Sequence, residues 1–172
     1  MKIRNRIWIA VLIVVTLVVV NSATAKQKAG STKLIGTWML VSADNIFPDG
    51  HRVQVYGPEP HGMLTFDAAG RYSSHIYRRG RLKFAENDKA KGTAEENQST
   101  VQGSNTHFGH YTVNESDASI TFHIDHALFP NWEGTEQKRS FRLEGDRLTY
   151  IVATPTTGGK AAIGEVVWQR AK

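Results

Sequence analysis

The 172-residue chain contains no cysteine. That removes disulfides, thiolate zinc sites, a cysteine nucleophile and a lipid-modified N-terminal cysteine from consideration. Stability therefore has to come from burial. There is no Gly-x-Ser-x-Gly elbow and no glycine-rich phosphate loop; Gly158-Gly159-Lys160 reads as a hairpin tip. No internal repeat is present. A long basic stripe interleaved with aromatics is also missing, so the composition does not argue for nucleic acid.

The positive charge is itself mostly local. The chain carries 21 Lys+Arg against 16 Asp+Glu. Three of the basic residues, Lys2, Arg4 and Arg6, form the head of a segment with no acidic residue, so 18 against 16 remain beyond it, a net charge of +2. An apolar run over residues 7–20, broken only by Thr16, follows that head, and Ala23-Thr24-Ala25 then supplies a small-x-small site. The run is short for a membrane span, which needs about 20 apolar residues. Residues 1–25 are thus expected to be a signal peptide cleaved after about Ala25, with an uncleaved anchor as the competing reading. Residues 26–33 read as a linker and residues 34–172 as one domain. The mature protein is expected in the periplasm or secreted, with no stable membrane span.

From Leu34 onward the pattern is that of short strands. Leu34, Trp38 and Leu40 share one parity with Gly36 between them. Residues 61–66 and 70–77 read as a hairpin around Asp67-Ala68-Ala69-Gly70. Further strands are read at 53–55, 107–113, 119–125, 137–143, 147–153 and 165–170. Thr93 and Glu96 form a capping-box pattern that opens one short polar helix to about Gly103. Eight or nine strands joined mostly by tight turns close most simply into an up-and-down antiparallel barrel, with a β-sandwich as the alternative.

Several pieces in fixed order carry a family likeness. They are Leu34-Ile35-Gly36-Thr37-Trp38 with Leu40-Val41-Ser42, Tyr56-Gly57, Gly62 with Leu64, Gly70-Arg71, and Phe108-Gly109 with Tyr111. After these come Leu128-Phe129-Pro130-Asn131-Trp132 with Gly134, Gln137 with Arg139, Gly145-Asp146 with Leu148, and Val167-Trp168 with Arg170. Together they resemble the bacterial and fungal lipocalin-like domain family over nearly the whole mature chain. The resemblance implies a single all-β barrel with an internal cavity, and a last-strand arginine, Arg170, packed across the first-strand Trp38. It does not fix an activity, because such barrels host both carriers and cofactor-free enzymes. Residues 94–104 depart from the family pattern in being polar.

Two function classes follow. In the first, the protein binds a small hydrophobic or aromatic molecule bearing one polar or anionic group. The candidate contacts are Tyr72, Ser74, Tyr111, His123, Phe129, Trp132 and Arg139. In the second, a cofactor-free isomerase, cyclase or lyase acts on a hydrophobic metabolite, with His123 and Tyr111 as acid/base and Arg139 as oxyanion partner. Which parity of residues 119–125 faces inward decides between them. If Ile120, Phe122 and Ile124 point in, His123 is outside; if Thr121, His123 and Asp125 point in, they line the cavity.

Arg139 is either a cavity anion receptor or a salt-bridge partner of a neighbouring strand. Phe129 and Trp132 either plug one end of the barrel or form its rim. Arg78, Arg79 and Arg81 read as a solvated loop or as a cluster greeting an anion. The histidines do not have metal-site spacing, since His107 and His110 fall on opposite faces of one strand. No metal or other cofactor is called for, and the protein is expected to be a monomer or weak homodimer.

Overall fold

The computed structural model describes residues 32–157, 159 and 161–172. The expected signal peptide, most of the expected linker, and Gly158 and Lys160 of the expected hairpin tip lie outside the described residues.

Nine strands form one antiparallel sheet: β1 (Gly36–Ile46), β2 (Arg52–Gln54), β3 (His61–Phe66), β4 (Arg71–Tyr77), β5 (Ser104–Asn114), β6 (Ser119–Ala127), β7 (Glu136–Glu144), β8 (Arg147–Val152) and β9 (Ile163–Arg170). The order is β2-β1-β3-β4-β5-β6-β7-β8-β9, and β1 also pairs with β9. That extra pairing closes eight of the strands into a barrel, so the up-and-down reading holds and the sandwich does not apply. The ninth strand, β2, has a narrower job. Strand β3 pairs only with residues 36–39 of β1. Residues 44–46 would present an open edge, and β2 covers it. Arg52 fastens the corner, with Nη1 3.2 Å from Asp44 and 2.8 Å from Glu165.

Each of the eight barrel strands turns an apolar parity inward, while β2, outside the barrel, is exposed throughout. On β6 these are Ile120, Phe122 and Ile124; on β5, Tyr111 and Val113; on β3, Leu64 and Phe66. Two irregularities adjust this alternation. The β1–β9 register shifts between Leu40 and Ser42. Trp38 is inside before the shift, and Ala43 and Asn45 are inside after it. The β5–β6 register shifts between Phe108 and Gly109. A Cβ at Gly109 would collide with the carbonyl oxygen of His123, so the backbones approach there as only glycine permits.

One end of the barrel is sealed. The Trp38 indole donates to the carbonyl of Leu34 at 2.8 Å. The Arg170 guanidinium lies 4.1 Å from the centre of the Trp38 ring. Its Nη1 and Nη2 donate to the carbonyls of Ile35 (2.9 Å) and Lys33 (2.6 Å), and Nε donates to Asp146 (3.1 Å). One side chain thus ties the strand entering the barrel to the strand leaving it. The observed β1 starts at Gly36, not Leu34, because the Leu34 carbonyl is held in the preceding turn by Trp38.

An α-helix, α1 (Ala94–Gln102), lies in the β4–β5 connection. Its capping box is formed: Glu96 N donates to Thr93 Oγ1 and Thr93 N to Glu96 Oε2. The arginines before it make protein contacts. Arg78 donates to the Val55 carbonyl, Arg79 pairs with Glu59, and Arg81 stacks over Tyr77. No helix among the described residues is long and apolar enough to cross a membrane.

The seal gives a stability prediction. Arg170→Ala removes a cation–π contact and charged hydrogen bonds to two carbonyls, and is expected to cost about 3 kcal/mol in urea unfolding. Arg170→Lys recovers less than half of that, because an ammonium cannot bridge both carbonyls.

Candidate functional site

The opposite end of the barrel holds a cavity of about 410 Å³. That lies toward the small end of ligand sites, which run from about 300 to 1,000 Å³. Much of its wall is apolar, from Ala43, Ile76, Tyr150, Val152 and Val166. Polar side chains share the wall with them, among them Asn45, Ser74, Asn105, His107, Gln137 and Arg139.

Arg139, on β7, is the charged group of the interior. It is only 5% exposed. It shares inward parity with Phe141 and pairs across to Ile120 on β6. Its guanidinium carbon lies 4.6 Å from the Phe122 ring centre and 4.8 Å from that of Tyr150. Nη2 donates to Gln137 Oε1 at 2.7 Å. Nε has no hydrogen-bond partner, and among the described residues no carboxylate pairs with this cation. A buried, unpaired charge is costly, and the two π faces and one amide offset only part of that cost. The arrangement is electrostatically incomplete, and an anion would complete it.

His107, on β5, is the second polar feature, 3% exposed. It lies on the inner parity with Asn105, Tyr111 and Val113. Its Nδ1 is 2.8 Å from the Tyr72 hydroxyl. Burial holds its pKa well below 6.5, and the charge of Arg139 acts in the same direction, so the ring is neutral. Among the described residues the Tyr72 hydroxyl has no other acceptor for its proton, so we assign it as the donor to Nδ1, which puts the imidazole proton on Nε2. Burial also raises the Tyr72 pKa, which keeps it a hydroxyl. Asn105 completes this corner with a buried Oδ1 that has no partner. Tyr56 lies beside it, its pKa raised by burial and opposed by a hydrogen bond from Asn105.

The structure separates the sequence candidates. Arg139, Ser74 and Trp132 line the cavity. Trp132 stands at the mouth in a 3-10 turn, its ring edge-on to His107 at 5.8 Å and 89°. Tyr72 lies behind His107 and reaches the cavity through it. Phe129 is 43% exposed and packs edge-on against Trp132 from outside, 5.6 Å away, so of the two aromatic candidates only Trp132 belongs to the wall.

Tyr111 is buried toward the sealed end, 4.6 Å from Phe66, and its hydroxyl donates to the Asp67 carbonyl at 3.1 Å. It does not line the cavity. His123 is a correction. The apolar parity of β6 faces inward, so His123 stands on the outer surface, 2.9 Å from Glu136 and opposite His110. It cannot reach a ligand in the barrel. His107 and Asn105, which residue pattern alone did not single out as ligand contacts, take the inner position. Their shared parity with Tyr111 and Val113 was the available signal.

A closed antiparallel barrel, sealed at one end and hollow at the other, is a cup for small molecules, and this one has a guanidinium inside it. The sequence profile of the lipocalin-like domain family matches residues 35–171, and the chain belongs to that family. No curated protein matches the chain significantly.

The neutral state of His107 has a pH consequence. Below pH 6.5 the unfolded chain takes up a proton on this ring that the folded barrel does not. Its contribution is therefore fully present above that pH and is lost as pH falls toward the depressed folded value. The expected slope is up to about 1.4 kcal/mol per pH unit. His107→Phe should remove that increment when urea unfolding is compared from about pH 7.5 to about pH 5.

Proposed function

We propose that this is an exported binding protein for a small apolar or aromatic molecule bearing one anionic group, with the anion held by Arg139. The unpaired, buried guanidinium, on a cavity wall that also offers the apolar side chains of Ile76, Tyr150, Val152 and Val166, carries this reading. A carboxylate or phenolate there would engage Nε and the remaining guanidinium protons, while the rings and aliphatic side chains hold the apolar body. Lipocalin-like barrels in general suggest small hydrophobic ligands, and the family membership supports that coarser statement.

The cavity chemistry favours binding over turnover. Arg139 and the Nε2–H of His107 are both donors. The carboxylates at the mouth, Asp44 and Glu136, are engaged by Arg52 and by His123. A cofactor-free isomerase, cyclase or lyase needs a base inside the cup, and the base first read from sequence, His123, is outside it.

Two measurements test the proposal. Naphthoate is expected to quench the fluorescence of Trp132 saturably, and Trp132→Phe to remove the signal. Arg139→Gln should weaken naphthoate about 10- to 100-fold while naphthol, which is uncharged, changes little. Absence of saturable binding by any apolar acid would count against the reading. For export, N-terminal sequencing of protein expressed with its own leader should find a mature chain beginning near Lys26; a full-length product in the cytoplasm would reject it.

A further inference from the structure

Beyond the anion receptor, the cavity holds a second polar corner. His107 and Asn105 stand two residues apart on the inner face of β5, which places their side chains side by side. With the Tyr72 hydroxyl assigned as donor to Nδ1, Nε2 presents a proton. Asn105 Oδ1 presents an unsatisfied acceptor. A donor and an acceptor next to one another, both on the wall of the same cavity, are the complement of a hydroxyl group, which accepts once and donates once. A carbonyl would satisfy only His107, and an ether likewise. A purely apolar ligand would leave Asn105 Oδ1 buried and unpaired, at a cost of about 1–3 kcal/mol.

The position of this corner relative to Arg139 sets the size of the ligand. The guanidinium carbon is 4.6 Å from the centre of the Phe122 ring and the His107 ring centre is 6.0 Å from it. The two polar points are therefore no further apart than the sum of those distances, a span that one or two fused rings cover. Arg139 lies against Tyr150, which in turn contacts Trp168 in the sealed half; His107 lies against Trp132 at the mouth. The anionic end of the ligand therefore points inward and the other end outward.

We infer that the ligand is a ring-bodied hydroxy acid, entering acid first, with its anion on Arg139 and a hydroxyl on the far ring shared between His107 and Asn105. This rests on the binding reading above and adds the second group. Isothermal titration with three probes tests it: naphthoate, naphthoate carrying a hydroxyl on the distal ring, and the methyl ether of that hydroxyl. The hydroxy acid should bind at least tenfold more tightly than naphthoate, and the ether should lose that advantage, because it cannot donate to Asn105. In His107→Phe and Asn105→Leu the ratio between hydroxy acid and naphthoate should fall toward one; in Arg139→Gln both acids should weaken and the ratio should persist.

The ether comparison uses the unaltered protein, so it decides the matter even where a variant fails to fold. Equal binding of naphthoate and its hydroxy derivative overturns this inference and leaves the anion receptor standing. Binding of neither acid overturns both.

Discussion

Everything in this molecule depends on β1 having two partners on one side and a third on the other. Its first residues pair with β3 and its last with β2, while β9 runs along the opposite edge. Without the β9 contact the sheet would be an open curl with two exposed edges, and no interior would exist to hold Arg139 or His107. Closure also has to be reconciled with the side-chain alternation of β1. The register shift between Leu40 and Ser42 does this, letting Trp38 seal the floor while Asn45, further along the same strand, faces the cavity. With no cysteine in the chain, this pairing and the Arg170 clasp replace covalent cross-links.

The two halves of the barrel interior differ in kind. Toward the floor, Trp38, Phe66, Ile120, Leu148 and Trp168 fill the space. Toward the mouth the filling stops and Arg139 Nε and Asn105 Oδ1 stand without partners, as the Trp168 indole nitrogen does in the packed half. Burial without satisfaction is destabilising, and a chain selected for stability alone would have placed a leucine or methionine at position 139. The unfilled half is where the interior departs from what stability alone would select. The outer face shows the contrast: His110, His123 and His126 each pair with a carboxylate in solvent, where such pairs contribute little.

Much of the fold was legible from residue pattern. The hairpin around Asp67–Gly70, the capping box at Thr93 and Glu96, and the alternation through Ile120, Phe122 and Ile124 are local signals with local causes, and the structure has each of them. The contact of Arg170 with Trp38, between the last strand and the first, was legible only through family likeness, since nothing local links residues that far apart in sequence. The site was half legible. Arg139 could be singled out because a lone arginine on an apolar parity is unusual. Its freedom from a salt bridge could not, because that depends on which carboxylates neighbouring strands bring near. His123 drew attention through Asp125 on the same parity, and sequence proximity misled. His107 shares inward parity with Tyr111 and Val113, a quieter signal that required knowing the strand's direction of burial. Asn105 shares that parity, but its significance lies in an oxygen left without a donor, which is a three-dimensional fact.

The clasp at the floor has a topological corollary. Trp38 and Arg170 are register partners, and Ala171 N donates to the Thr37 carbonyl at 2.8 Å. The beginning and end of the barrel wall therefore emerge side by side, on the side of the molecule remote from the opening. A tether or tag fused after residue 172 is attached at the base of the cup, and the entrance faces away from the point of attachment.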